Sequence, residues 1–138
     1  MKRFTLLVLF GVLLVPLGAI AQSSMPQPNS NGDFMTNTSH PTWQVIDTDP
    51  NGLNCRWSDQ MPVEWFDPGA TWPRRDISSW TSVRRFQNGA VLSANSTPAG
   101  FVTITDTRGR PWLKVNIGSN DQICLVRANR RFIRPISE

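Results

Sequence analysis

The run Trp43-Gln44-Val45-Ile46-Asp47-Thr48-Asp49-Pro50-Asn51-Gly52-Leu53-Asn54-Cys55-Arg56-Trp57 decides how the rest of the chain is read. Asp49-Pro50-Asn51-Gly52 is dense turn chemistry, with Gly52 free to take a positive φ. Before the turn, Trp43, Val45 and Asp47 share one side of an extended segment, and Gln44, Ile46 and Thr48 share the other. After it, Leu53 and Cys55 face one way while Asn54 and Arg56 face the opposite way. That alternation predicts a short, half-buried strand with a cysteine on its buried face.

The same pattern returns downstream. Val83–Phe86 leads through Asn88-Gly89 to Ala90–Ala94, and a turn at Thr97–Gly100 precedes the β-branched run Phe101–Thr105. Asp106–Gly109 turns the chain into Trp112–Ile117, where Leu113, Val115 and Ile117 lie opposite Trp112 and Lys114. Gly118–Asp121 then leads into Ile123–Val126. Strands at roughly ten-residue intervals predict a small antiparallel all-β domain. One short helical turn is expected around Ala128 and Asn129.

Between the first strand and this regular region, Ser58 to Ser82 has no clean period. Pro62, Pro68 and Pro73 exclude a continuous helix or central strand there, although Val63–Phe66 has room for a short one. Trp57, Trp65, Trp72 and Trp80 lie in or beside the stretch. So long a loop in a small domain is either functional or packed on itself.

The N-terminus carries a targeting signal. Met1-Lys2-Arg3 is basic, Phe4 to Leu17 is almost wholly apolar, and Ala19-Ile20-Ala21 supplies the small residues of a cleavage site. The apolar run falls short of the ~20 residues of a spanning helix, and Pro16 and Gly18 break its end. Residues 1–21 therefore read as a signal peptide. Residues 22–41, rich in Ser, Asn, Gln and Pro, read as a disordered leader, and 42–138 as the folded domain. The expected location is secreted or periplasmic, with no stable membrane insertion after cleavage. Loss of Lys2 and Arg3 would lower the formal net charge of +4 by two, and export makes nucleic acid an improbable partner. In an oxidising compartment the two cysteines, Cys55 and Cys124, read as one disulfide.

At this point the order of the pieces resembles that of bacterial SH3-like domains. Gly52-Leu53-Asn54-Cys55-Arg56 is similar to their L-N-V-R signature, with cysteine for valine. Phe86–Leu92 resembles their G-x-x-L strand start, and Arg110–Val115 their W-x-K-V strand. Cys124-Leu125-Val126 stands where G-W-V leads to a last aromatic, here Phe132, and a closing I-x-P-I over Ile133–Ile136. The likeness spans Val45 to Ile136. It implies a small SH3-like, partly open barrel of five to six antiparallel strands, carrying here a long Pro/Trp-rich insertion. It also implies a binding role, since related domains accompany cell-wall peptidases and contact peptidoglycan. In such a barrel the two cysteine strands come close, so a bridge would tie the two ends of the sheet together.

Catalytic chemistry finds little support. Asp47–Gly52 fits the first half of a calcium loop, but Ser58 stands where the bidentate glutamate belongs, so a plain turn is expected and no metal. A single histidine, His40, in the leader leaves no Ser/His or Cys/His nucleophile and too few zinc ligands. Asp59, Glu64 and Asp67 are the set on which a small hydrolase would depend. The chain is therefore expected to be a non-enzymatic module without cofactor. Its candidate ligand residues are Trp65 and Trp72, whose faces suit sugar rings or apolar peptide side chains, with Arg74 and Arg75 beside them. The alternative is a lid folded over the core. Arg127, Arg130, Arg131 and Arg134 form a second cluster suited to phosphate or carboxylate. The expected partner is cell-wall glycan or peptide, or an envelope protein. The rival classes are the hydrolase and a structural subunit of an envelope assembly.

Overall fold

Residues 25–35, 38–57, 76–96, 100–118 and 122–137 are described by the structure, a computed structural model. They form strands β1 (Thr42–Val45), β2 (Leu53–Trp57), β3 (Thr81–Phe86), β4 (Val91–Ser93), β5 (Thr103–Thr105), β6 (Pro111–Asn116), β7 (Ile123–Arg127) and β8 (Ile133–Pro135). A 3-10 turn, Ile77–Ser79, precedes β3. The fold is all-β. Residues 1–21, expected to be a signal peptide, and residues 58–75, with the strand expected at Val63–Phe66, lie outside the described residues.

The strands pair antiparallel in two sheets, in the orders β4-β1-β8 and β3-β2-β7-β6-β5. They number eight rather than five or six, and the sheets do not close into a barrel. The turn after β1 is the cause: it sends β1 to pair with β4 and β8, while β2 joins β3 and β7. Gly52 makes that change of sheet possible. Its φ is 81°, and a Cβ there would stand 2.8 Å from the Phe86 carbonyl oxygen. At one corner the backbones of the two sheets also meet, where Ala94 bridges Val115.

Trp43 and Val45 of β1, Leu92 of β4 and Ile133 of β8 face Leu53, Cys55, Leu113, Val115, Cys124 and Val126 of the larger sheet, forming the main core. The opposite face of the larger sheet is apolar too, with Trp112, Ile123 and Leu125 packed against Ile77. β6 and β7 are thus buried on both sides, which explains why Pro111 to Val115 and Ile123 to Val126 are buried without interruption.

The disulfide joins Cys55 to Cys124, with Cα atoms 5.4 Å apart. It does not tie the ends of a sheet together. β2 and β7 are interior neighbours, and the bond reinforces their seam, where Arg56 stands opposite Leu125.

The leader is a second correction. From Met25 to Met35, and again from Thr38, the described residues pack on the domain. Asn29 Oδ1 accepts the amide protons of Asn31 and Asp33, closing a turn. Asp33 then bridges Asn129, the Phe34 amide donates to the Ala128 carbonyl at 3.0 Å, and the Arg130 amide donates to the Gly32 carbonyl at 2.7 Å. Phe34 is 2% exposed and meets Trp43 edge-on at 4.8 Å. The Asp33 carboxylate takes Arg127 and the Asn129 amide. Asn129 is therefore half of a bridge as well as the start of a single turn, its carbonyl accepting the Phe132 and Ile133 amides. His40 is likewise fixed, its Nε2 lying 2.9 Å from the Ile136 carbonyl. Composition misled because the polar side chains here saturate backbone groups while one aromatic ring supplies the burial.

Two stability measurements follow from this architecture. The Cys55→Ala/Cys124→Ala variant should lose about 4 kcal/mol in denaturant unfolding, the loop-closure value for a separation of 69. A loss below about 1 kcal/mol would contradict the structural role. Phe34→Ala should cost about 3–5 kcal/mol, whereas a solvated leader would make it neutral.

Candidate functional site

The sequence placed ligand recognition on Trp65, Trp72, Arg74 and Arg75, all of which lie outside the described residues, as do Asp59, Glu64 and Asp67 of the hydrolase alternative. The structure describes what flanks that segment. It departs from Trp57, the last residue of β2, and returns at Asp76. Trp57 pairs with Thr81 across the β2–β3 ladder, so the two flanks lie close together. Both belong to the outer face of the larger sheet. There Trp57 and Trp80 pack half-buried against the cluster of Ile77, Trp112, Ile123 and Leu125, with Ile104 at its border. Three of the six tryptophans thus gather on one face. Trp112 is a core residue of this face, at 4% exposed. Trp43 is likewise buried, on the other side of the sheet.

A charged clamp pins the returning chain. Asp76 caps the 3-10 turn by accepting from the Ser78 amide and hydroxyl. It also receives Arg108 and Arg110, each at 2.9 Å. Arg110 continues to Asp106 at 2.7 Å, and Asp106, whose side chain is fully buried, further accepts the Trp112 indole N–H at 3.0 Å and the amides of Arg108 and Arg110. One turn, Asp106–Arg110, therefore holds both the indole on the sheet and the aspartate that ends the insertion. Burial alone would raise the Asp106 pKa, but the donors from Arg110, Trp112 and Arg108 outweigh it and hold the carboxyl below its ordinary value. Asp76 is also lowered, first by the Ser78 hydroxyl bond, against some desolvation, and then by Arg108.

Lys114 is the residue whose setting the sequence concealed. Alternation assigns it to the face away from the main core, where a lysine would ordinarily be solvated. That face is itself covered, and Lys114 is 3% exposed. Its Cα partner is Leu125, which in turn stands opposite Arg56. Burial pulls its pKa down from 10.5 to about 8.

The remaining candidates separate. Asp47 and Asp49 use their carboxylates on the amides of Asp49 and Asn51, as plain turn residues do. Among the described residues no group of three or more His, Cys, Asp or Glu side chains is placed to hold a metal ion. The C-terminal arginines do not converge: Arg127 pairs with Asp33, Arg134 grips Gln44 Oε1, and the Arg130 stem packs along Gly32. Comparison with known proteins adds no relative, since no family model, curated protein or solved structure matches the chain.

These ionisations fix the form of the stability–pH profile. The folded pKa values of Asp76 and Asp106 lie below 3.8, so their stabilisation is present above that pH and is lost as the pH falls through the lowered values. The folded pKa of Lys114 is also lowered, so between about 8 and 10.5 the unfolded chain holds a proton that the folded one has released. Stability must then rise with pH across that window. The chain has no tyrosine, both cysteines are bonded, and Lys2 is the one other lysine, so little else titrates there. Urea midpoints should climb from pH 8 to 10.5 in the wild type and stay flat in Lys114→Met. A flat wild-type profile would refute the buried setting of Lys114.

Proposed function

We propose that this protein is a secreted, non-catalytic binding module whose insertion between β2 and β3 presents Trp65 and Trp72, with Arg74 and Arg75, to cell-wall glycan. The observation that carries the reading is the gathering of Trp57, Trp80 and Trp112 on one sheet face at the root of that insertion. Indole faces suit the apolar faces of sugar rings, and their two side-chain torsions cost little entropy to hold. The Asp76–Arg108–Arg110–Asp106 clamp supports the same reading, because it gives the returning end of the insertion a fixed footing on the sheet. A rigid base reduces the ordering cost of a recognition loop. The disulfide is the kind of bond that persists outside a reducing cytosol. The likeness of Leu53–Arg56 and Trp112–Val115 to segments of bacterial SH3-like domains points to the same compartment and to wall contact.

The test is retention on purified wall sacculi. Wild-type protein should co-sediment, and Trp65→Ala/Trp72→Ala should be retained about tenfold less, the magnitude expected for two stacked indoles. Equal retention of both proteins would remove the tryptophan platform. Turnover of wall fragments abolished by Glu64→Gln would replace the module with a hydrolase.

A further inference from the structure

Three arginines of the described residues are held in ion pairs. Arg108 and Arg110 are neutralised by Asp76 and Asp106, and Arg127 by Asp33. Arg56 and Arg85 differ. Both stand on the outer face of the larger sheet: Arg56 opposite Leu125, and Arg85 opposite Asn54, which lies two residues before Arg56 on the same strand. Among the described residues neither has a carboxylate within ion-pair distance. Neutral acceptors position them instead. One Nη of Arg56 donates to the Trp80 carbonyl at 2.6 Å, and Nε of Arg85 donates to Asn54 Oδ1 at 3.1 Å.

A guanidinium has five N–H donors, so one bond at a corner fixes its place and leaves a forked edge available. In Arg85 that edge is the pair of Nη nitrogens, on an exposed side chain. Trp57 and Trp80 pack, half-buried, on the same face. Two held guanidinium forks on one sheet face, with no carboxylate beside them among the described residues, match repeated oxyanions along a polymer.

We infer that Arg56 and Arg85 are an oxyanion-binding pair, and that the glycan this module recognises is acidic, bearing carboxylate or phosphate groups along its chain. The inference rests on the wall-glycan reading and narrows its ligand class. Arg84 provides an internal control. It occupies the same strand but stands opposite Cys55, on the core side, where it lies over the Phe86 ring and donates to the Ile117 carbonyl. Its charge equals that of Arg85, but its face differs.

The experiment titrates the intrinsic tryptophan fluorescence of the exported protein with polygalacturonate, a phosphate-bearing mannan, neutral dextran and polyglutamate. Binding of either acidic sugar-based polymer, at least tenfold tighter than dextran, is expected, and the preferred one identifies carboxylate or phosphate as the group read. Arg85→Glu should weaken that binding at least tenfold and Arg56→Gln should weaken it measurably, whereas Arg84→Glu should leave it within twofold. Circular dichroism of each variant separates lost binding from lost fold, and Arg85→Glu, being at an exposed site, keeps the test valid if Arg56→Gln unfolds. Equal affinity for dextran, equal loss in Arg84→Glu, no binding of either acidic polymer, or tighter binding of polyglutamate would each overturn the inference. Sacculus retention that depends on Trp65 and Trp72 but not on Arg85 would leave the wall-binding reading standing and remove this one alone.

Discussion

The seam between β2 and β7 is where the two halves of the larger sheet meet, and it is covalently closed. On one side lies the β2–β3 ladder, with a bulge after Cys55; on the other lies the regular β5–β6–β7 ladder. The Cys55–Cys124 bond holds these halves in register. Once they are joined, one face of the sheet buries Leu53, Val115 and Val126 against the smaller sheet, while the other collects Trp57, Trp112 and Leu125. Both clusters depend on the same backbone alignment. A slip of one residue in β7 would exchange Cys124 and Val126 with Ile123 and Leu125 and break the disulfide geometry at the same time.

Much of this was legible in the sequence, and the reasons are specific. Trp112–Ile117 and Ile123–Val126 announce strands because β-branched and alternating residues lie between strong turn formers. Cys55 and Cys124 announce their bond because no third cysteine competes. The number and layering of strands were less accessible. Nothing local in Trp43–Trp57 shows that Asp49–Gly52 joins two sheets instead of two neighbouring strands; that depends on β4 and β8 claiming both edges of β1. The arm before β1 escaped for a different reason. Its contribution comes from Phe34 alone and from Asp33, whose partners Arg127 and Asn129 lie about ninety residues further on.

The candidate site was legible only in part. The concentration of tryptophans around the insertion is plain in the sequence; the described members of that group, Trp57, Trp80 and Trp112, gather on the larger sheet, while Trp65 and Trp72 lie outside the described residues. The arginines could not be sorted by position in the chain. Arg108 and Arg110 are committed to aspartates on the same or a neighbouring turn, and Arg127 to one far upstream, while Arg56 and Arg85 are held by a carbonyl and an amide. Only the three-dimensional distribution of carboxylates separates structural cations from available ones. Lys114 escaped for a related reason, since alternation assigns a residue to a face but does not say that both faces are covered.

The clip formed by Asp33, Phe34, Arg127 and Asn129 has a consequence for the order of events as the chain is made. A ribosome delivers Asp33 first and its ion-pair partner 94 residues later. At about 5–20 residues per second the arm therefore waits roughly 5–20 s before it has anything to dock on. β1 waits as well, because β8 arrives last of all the strands. Neither sheet can be completed before β7 and β8 have been made, so the domain remains open until those strands are available. A domain clasped in this way from Asp33 to Arg127 and Asn129 is a poor substrate for premature folding.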